Sequence, residues 1–151
     1  QMKYETGKIG RVIVVRLEDG EIIHEQIERI ARDEGIRCAT VSGLGGIDVG
    51  SRLVVGPREP RNLPPEPQEI VLDNVYEATG NGTIAPGENG QPVLHMHLAC
   101  GRMNSVVAGC IRRGVRVWHV FEVVITELDG VKARRVRDQV TGFELLEPET
   151  R

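Results

Sequence analysis

Three histidines and one cysteine have the residue types and spacing that metal chemistry requires. His95 and His97 are two residues apart in a run that predicts a strand, so their side chains point to the same face. Cys110 and His119 flank residues 113–114, an Arg-Gly pair typical of a hairpin turn, and the hairpin register would place both on one face. Three imidazoles and a thiolate suit zinc. The pattern predicts a site for zinc or another divalent transition metal at His95, His97, His119 and Cys110.

A simpler interpretation of the same residues stays open. Histidines in strands are often partly buried and only hydrogen-bonded, and a His-x-His pair alone is weak evidence for a metal. The two further potential ligands, in neighbouring predicted strands, strengthen the metal hypothesis. The fourth histidine, His24, lies near the start of a predicted helix and is interpreted as a surface residue.

A basic segment lies within an acidic chain. The 151 residues carry a formal net charge of −3, a poor overall match to nucleic acid, whose binding depends on phosphate neutralisation. Residues 102–137 nevertheless hold eight basic and three acidic side chains. Five arginines are candidate contacts for an anion or for DNA: Arg112, Arg113, Arg116, Arg134 and Arg135. A solvated sheet edge, decorated with charge to prevent further strand pairing, explains them as well.

Two other features indicate what the chain does not contain. The run Ser42-Gly-Leu-Gly-Gly46 follows a predicted strand but lacks the spacing of a dinucleotide loop, so it predicts a tight turn with close backbone approach. The three cysteines are odd in number and widely spaced, which favours reduced thiols. With no apolar membrane span and no signal-peptide pattern, we expect a cytoplasmic protein without membrane contact.

The elements that must position these residues are one helix and many strands. A strand at 11–17, a helix from Glu21 that stops at Gly35, and a strand at 36–42 form a β-α-β opening. The strands predicted after it cover residues 48–55, 69–80, 92–101, 105–112 and 115–127, with loops at 56–68 and 81–91 and a final segment at 131–146. These elements predict a single α+β domain over residues 1–151 with a largely antiparallel sheet.

The motifs together resemble a known family. Residues 10–17, the helix opening at Gly20-Glu21, Val41-Ser-Gly-Leu-Gly45, Leu94-His-Met-His-Leu98 and Glu122-Val-Val-Ile125 occur in the order of the plants-and-prokaryotes conserved domain (PPC). The resemblance covers about residues 8–128. It implies a mixed sheet flanked by a main helix and short helices, and a protein that assembles as a homotrimer. Members of the family are also described as candidate DNA-binding proteins.

The resemblance also bears on the metal site. Prokaryotic relatives have three histidines that suggest a metal pocket; His95 and His97 match two of them, and Cys110 stands where the third is usual. Arg113 stands where a glutamate is common. In plant relatives DNA binding rests on AT-hook segments outside this domain, and the Arg-Gly-Arg-Pro core of an AT-hook is absent here.

Three functions remain as expectations. The first is a metal-binding, trimeric PPC-domain protein with a binding or regulatory role. The second is a DNA-binding protein that uses the arginine-rich face. The third is a small hydrolase in which the metal lowers the pKa of bound water; Glu122 is an available base, but strand alternation points it away from His119. Whether the protein is an enzyme stays open.

Overall fold

Ten β-strands and one α-helix make up the regular structure of the described residues. The computed structural model describes residues 1–149. Its elements are β1 (Lys8–Glu18), α1 (Ile23–Asp33), β2 (Ala39–Ile47), β3 (Arg52–Pro57), β4 (Pro67–Val71), β5 (Tyr76–Pro86), β6 (Pro92–Arg102), β7 (Ser105–Cys110), β8 (Val117–Asp129), β9 (Ala133–Arg137) and β10 (Glu144–Pro148). The predicted short helices are absent from these residues, in which α1 is the only α-helix.

Eight strands form one sheet in the order β1-β8-β2-β5-β6-β7-β3-β4, and β9 and β10 form a separate pair. All strand pairings of the described residues are antiparallel. β8 lies between β1 and β2, which explains the β-α-β opening: the two strands around α1 run parallel to each other and both pair with β8. The largely antiparallel sheet of the sequence analysis is therefore confirmed, whereas the parallel pairings that a mixed sheet implies are absent from residues 1–149.

The helix α1 buries one face against the sheet. Ile23, Ile27 and Ala31 are fully buried and follow the helical spacing of the sequence. Complete burial of each isoleucine contributes about 2–3 kcal/mol to the free energy of folding. Gly35 ends the helix with a φ of +66°. The N–H of Ile36 donates to the carbonyl of Ala31 and the N–H of Gly35 donates to the carbonyl of Arg32, which are the two hydrogen bonds of a Schellman motif. The predicted glycine stop is confirmed.

The predicted hairpin around residues 113–114 is wrong. β7 pairs with β6 and β3, whereas β8 pairs with β1 and β2. The connection between them is anchored to the core at Ile111 and Val115, which are fully buried, and the carbonyl of Val115 accepts from the N–H of Ile23; Arg112 and Arg113 between them are exposed. Packing of these two anchors against the core outweighs the hairpin preference of an Arg-Gly pair.

The glycine run after the first helix is part of a strand and not a turn. It lies in β2, and the pairing of β2 with β8 shifts between Gly45 and Gly46, which marks a bulge. A side chain at Gly45, where φ is +152°, would place its Cβ 2.3 Å from the carbonyl oxygen of Val120. The predicted close backbone approach is therefore present, although the predicted turn is not.

The first half of the predicted loop at 81–91 is strand instead, because β5 continues to Pro86. Gly82 has the same explanation as Gly45, since a Cβ there would lie 2.7 Å from the carbonyl oxygen of His95 on β6. Glycine in this strand is thus required by close packing of the neighbouring backbone and does not break the ladder.

The two faces of the large sheet differ in character. The inner face, toward α1, carries the apolar core: Leu17, Val41, Ile84, Leu94, Met96, Leu98, Phe121, Val123 and Ile125. The outer face carries the alternate residues of the same strands, among them Val12, Val14, Thr40, Ser42, Leu44, Thr79, Asn81, His95, His97, Ala99, Ala108, Glu122 and Val124. The strand pair β9-β10 contacts the sheet at β5. The histidine pair is therefore on the outer face, away from the helix.

Two further expectations concern cysteines and membranes. Cys38 and Cys100 are buried and free, and burial raises the pKa of the Cys100 thiol to about 11. The helix α1 has 11 residues, and the described part of the chain contains no helix long and apolar enough to cross a membrane.

We predict that Gly45→Ala destabilises the fold. The added Cβ overlaps the carbonyl of Val120, so the free energy of unfolding falls by about 3 kcal/mol in urea denaturation. Gly56→Ala is the matched control, because a Cβ at that strand position meets no atom within 4 Å, and its effect stays within about 0.5 kcal/mol. Equal effects of the two substitutions would contradict the role assigned to Gly45.

Candidate metal centre

His95 and His97 project side by side from β6. In the register of β6 against β5, His95 is opposite Thr83 and His97 is opposite Asn81. The Nε2 atoms of the two histidines are 3.1 Å apart, and the ring centroids are 4.9 Å apart with an angle of 81° between the planes. Two Zn–N bonds at the tetrahedral angle would separate the nitrogens by about 3.3 Å. The pair is therefore spaced for two ligands of one ion.

Cys110 completes a group of three. It is the last residue of β7 and lies directly opposite His97 across the β6-β7 ladder. One ring nitrogen of each histidine and the Sγ atom of Cys110 all lie within 4.8 Å of one another. A tetrahedral zinc with these donors requires nitrogen–sulfur separations of about 3.6 Å, which small side-chain rotations achieve. Two imidazoles and one thiolate leave one position open in a four-coordinate site.

The structure does not bring His119 to this group. The prediction depended on a β7-β8 hairpin, and in the sheet β2 and β5 separate β8 from β6. Strands are spaced about 4.8 Å apart, so His119 is more than 10 Å from the histidines. His119 lies in the bulge opposite Gly45–Gly46, where its φ is +61°. Its backbone N–H donates to a carboxylate oxygen of Asp19 at 2.7 Å, and its ring packs edge-on against the ring of Trp118. His119 has a local structural role within the described chain.

Two arginines lie close to the three ligands. Arg135 donates from Nη2 to the carbonyl and the hydroxyl of Thr83, the residue beside His95, at 3.0 and 2.8 Å. Arg112 donates to both carboxylate oxygens of Glu28 at 3.1 and 2.9 Å and also to the carbonyl of Leu94. Both arginines hydrogen-bond to residues beside the three ligands, and neither guanidinium is itself a candidate metal ligand.

The electrostatic surroundings keep His95 neutral. Partial burial lowers the pKa of His95 below 6.5, and the neighbouring His97 and the positive charges of Arg135 and Arg112 lower it further. A neutral imidazole offers a free lone pair, so no proton has to leave His95 before a metal binds at pH 7.

The five arginines predicted as a DNA-binding face are dispersed. Arg112 is paired with Glu28, and Arg113 lies 3.3 Å from a carboxylate oxygen of Glu69. Arg116 donates to the carbonyl of Gly20 at 2.5 Å, and Arg135 is 3% exposed. Arg134 is exposed on β9. The hairpin tip that would have gathered the first three does not form, so the structure presents no common face of these five side chains.

The sequence analysis missed the position of Arg135. Arg134 and Arg135 are adjacent in sequence, and both are candidate anion contacts in the sequence analysis. Strand alternation nevertheless sends their side chains to opposite faces of β9. Only the docking of β9 on β5 identifies which arginine is buried beside the histidines. Glu122, the proposed base of the hydrolase hypothesis, is opposite Arg16 and Leu44, and two strands, β2 and β5, lie between it and β6.

The family of the chain follows from a comparison with known domains. The family model of the Plants and Prokaryotes Conserved (PCC) domain matches residues 4–129. The chain belongs to this family, which is the one that the sequence motifs predict under the abbreviation PPC. A comparison with curated proteins finds no match.

Solved structures of the same fold cover nearly the whole chain. A plant- and prokaryote-conserved (PPC) protein of Pyrococcus horikoshii is 25% identical, with a TM-score of 0.80, and the match covers 97% of this chain and 99% of that one. A metal-containing protein of Archaeoglobus fulgidus is 23% identical, with a TM-score of 0.82 and coverage of 95% and 98%. A candidate DNA-binding protein of Bacteroides thetaiotaomicron is 20% identical, with a TM-score of 0.73 and coverage of 99% of both chains.

We predict that the metal-free protein loses stability as the pH falls below about 6.5. In this range the unfolded chain binds a proton at His95 and the folded chain, with its lowered pKa, does not, so protonation favours unfolding. His95→Gln should reduce the slope of unfolding free energy against pH; His24, whose pKa is lowered by burial, leaves a residual slope. The assignment is checked by an NMR titration of His95 without metal, and a midpoint at or above 6.5 would contradict it.

Proposed function

We propose that this protein is a zinc-binding member of the PCC family with a binding or regulatory role, whose metal is held by His95, His97 and Cys110. The observation that carries the proposal is the convergence of these three donors within 4.8 Å on one sheet face. A zinc ion bound there would supply a Lewis acid with one open coordination position.

Three further observations support the proposal. The donor set of two imidazoles and a thiolate is one that zinc prefers over magnesium or calcium, which take oxygen ligands. His95 is held neutral by its surroundings. The relative from Archaeoglobus fulgidus, which has the same fold, is described as a metal-containing protein. A cytoplasmic location agrees with free cysteines, which a reducing compartment preserves.

A homotrimer is part of the proposal, because the family resemblance implies it and the outer face of the sheet carries an exposed apolar patch. Val12, Val14 and Leu44 are 58%, 78% and 54% exposed. Val124, opposite Val14, extends the same patch, and β1 is an edge strand. Exposed apolar patches of this kind mark protein–protein contacts, and a second copy of the chain is the partner that a homotrimer supplies.

The other two functions of the sequence analysis have less support. DNA binding is supported by the relative from Bacteroides thetaiotaomicron, which has the same fold and is described as a candidate DNA-binding protein. The arginine face that it required is not formed, because the five arginines are dispersed. The hydrolase required a carboxylate beside a metal-bound water, and two strands separate Glu122 from the histidines. Metal binding is therefore the function that the geometry supports best.

We predict that the purified protein binds about one zinc per chain, measured by elemental analysis and by competition with a chromophoric chelator. His97→Ala and Cys110→Ser should each weaken binding by about a hundredfold or more, because loss of one of three protein ligands opens a second position to water.

The control for this prediction is His119→Ala. His119 is an exposed histidine that the sequence suggested as a ligand and the structure separates from the group, so its loss should leave the zinc affinity unchanged. A protein that purifies and remains without metal in the presence of zinc, or an affinity that depends on His119 and not on Cys110, would refute the proposed site.

We predict that Val14→Glu converts the trimer into monomers, measured by light scattering coupled to size exclusion. The charge falls within the exposed apolar patch, where an interface would have to bury it. Val140→Glu is the matched control, because Val140 is also exposed, at 61%, but lies in the turn between β9 and β10. A monomeric wild-type protein, or dissociation by the control alone, would contradict this assembly.

A further inference from the structure

Arg135 is a buried cation whose hydrogen bonds are incomplete. Its side chain is 3% exposed, and only Nη2 has partners, the carbonyl and hydroxyl of Thr83. The Nε atom is buried and has no hydrogen-bond partner among the described residues. None of the ion pairs of residues 1–149 includes Arg135. A guanidinium buried in this way normally meets an anion, since its charge and its donors must both be satisfied.

The position of Arg135 connects it to the metal site. Thr83 is directly opposite His95 across the β5-β6 ladder, and both side chains are on the outer face of the sheet. Arg135 is bound to the Thr83 hydroxyl, so its guanidinium lies beside His95 at the edge of the three-ligand group.

The charges around the group have the wrong sign for a metal alone. Arg135 and Arg112 are cationic, and Arg112 is already paired with Glu28. Glu144 is the acidic group that interacts with both arginines, and it forms no ion pair within 4.0 Å in the described chain. A divalent ion with one thiolate ligand carries a net positive charge beside these cations. An anion at its open position would neutralise that charge.

We infer that the site binds a small oxyanion, a carboxylate or a phosphate, with one oxygen on the open position of the metal and another accepting from Nε of Arg135. This inference rests on the proposed zinc site and names the class of ligand that the site takes. The planar guanidinium fork matches the geometry of both oxyanions, and a charge-assisted hydrogen bond satisfies the buried donor.

The test uses the full chain loaded with cobalt(II), whose visible spectrum reports the coordination of a zinc site. Cobalt per chain is first measured by elemental analysis. The spectrum is then titrated with sodium acetate in one arm and with sodium phosphate in the other, at an ionic strength fixed with perchlorate. The variants are Arg135→Gln, Arg135→Lys, and Arg134→Gln as the matched control, because Arg134 is the exposed neighbour on the opposite face of β9.

The expected result is one cobalt per chain and a saturable spectral change with at least one oxyanion. Arg135→Gln should weaken oxyanion binding by about tenfold or more without loss of cobalt, since it removes a charge-assisted hydrogen bond. Arg135→Lys, which retains the charge without the fork, should have an intermediate effect, and Arg134→Gln should match the wild type. The arm that responds more strongly identifies the carboxylate or the phosphate as the ligand.

Each negative result identifies which part of the inference is wrong. Absence of bound cobalt overturns the proposed zinc site and this inference together. One cobalt per chain with no spectral response to either anion overturns the oxyanion and leaves the zinc site standing. A response that is equal in the Arg135 variants and the Arg134 control overturns the role of Arg135. If Arg135→Gln does not fold, the wild-type titration and Arg135→Lys decide the result.

Discussion

The register of β6 between β5 and β7 is the constraint on which the candidate site depends. It places His97 opposite Cys110 on one side, and His95 opposite Thr83 on the other. A shift of one residue in this register would turn both histidines into the core and bring Met96 to the surface, because side chains alternate between faces. The fully buried inner face, which includes Met96 and Leu98, therefore fixes the position of the ligands that point the other way.

The same alternation divides the molecule into a structural face and a functional face. The inner face holds the core and the helix, whereas the outer face combines an apolar patch near β1 with a polar group near β6. The strand pair β9-β10 packs beside His95, His97 and Cys110 and contributes Arg135. The site is therefore built from both the large sheet and this strand pair. The cationic surroundings favour a neutral imidazole and, in our proposal, an anion at the metal.

Local patterns in the sequence predicted much of the fold, and the errors share one physical cause. The helix with its glycine stop, the strand that contains His95 and His97, and the family were predicted, since each depends on neighbouring residues or on an ordered set of motifs. The hairpin at residues 113–114 and the turn at residues 43–46 were wrong. In both places a flexible residue suggested a turn, but the packing of distant strands decided the backbone path.

The sequence by itself determined that His95 and His97 share a face, because a period of two residues is a local property of any strand. It also determined the family and one amphipathic helix. Only the tertiary structure decided that Cys110 joins the pair while His119 does not, because partners across a sheet are set by strand order, which local spacing does not encode. The burial of Arg135 and the exposure of Arg134 were decided in the same way, by the docking of β9 on β5.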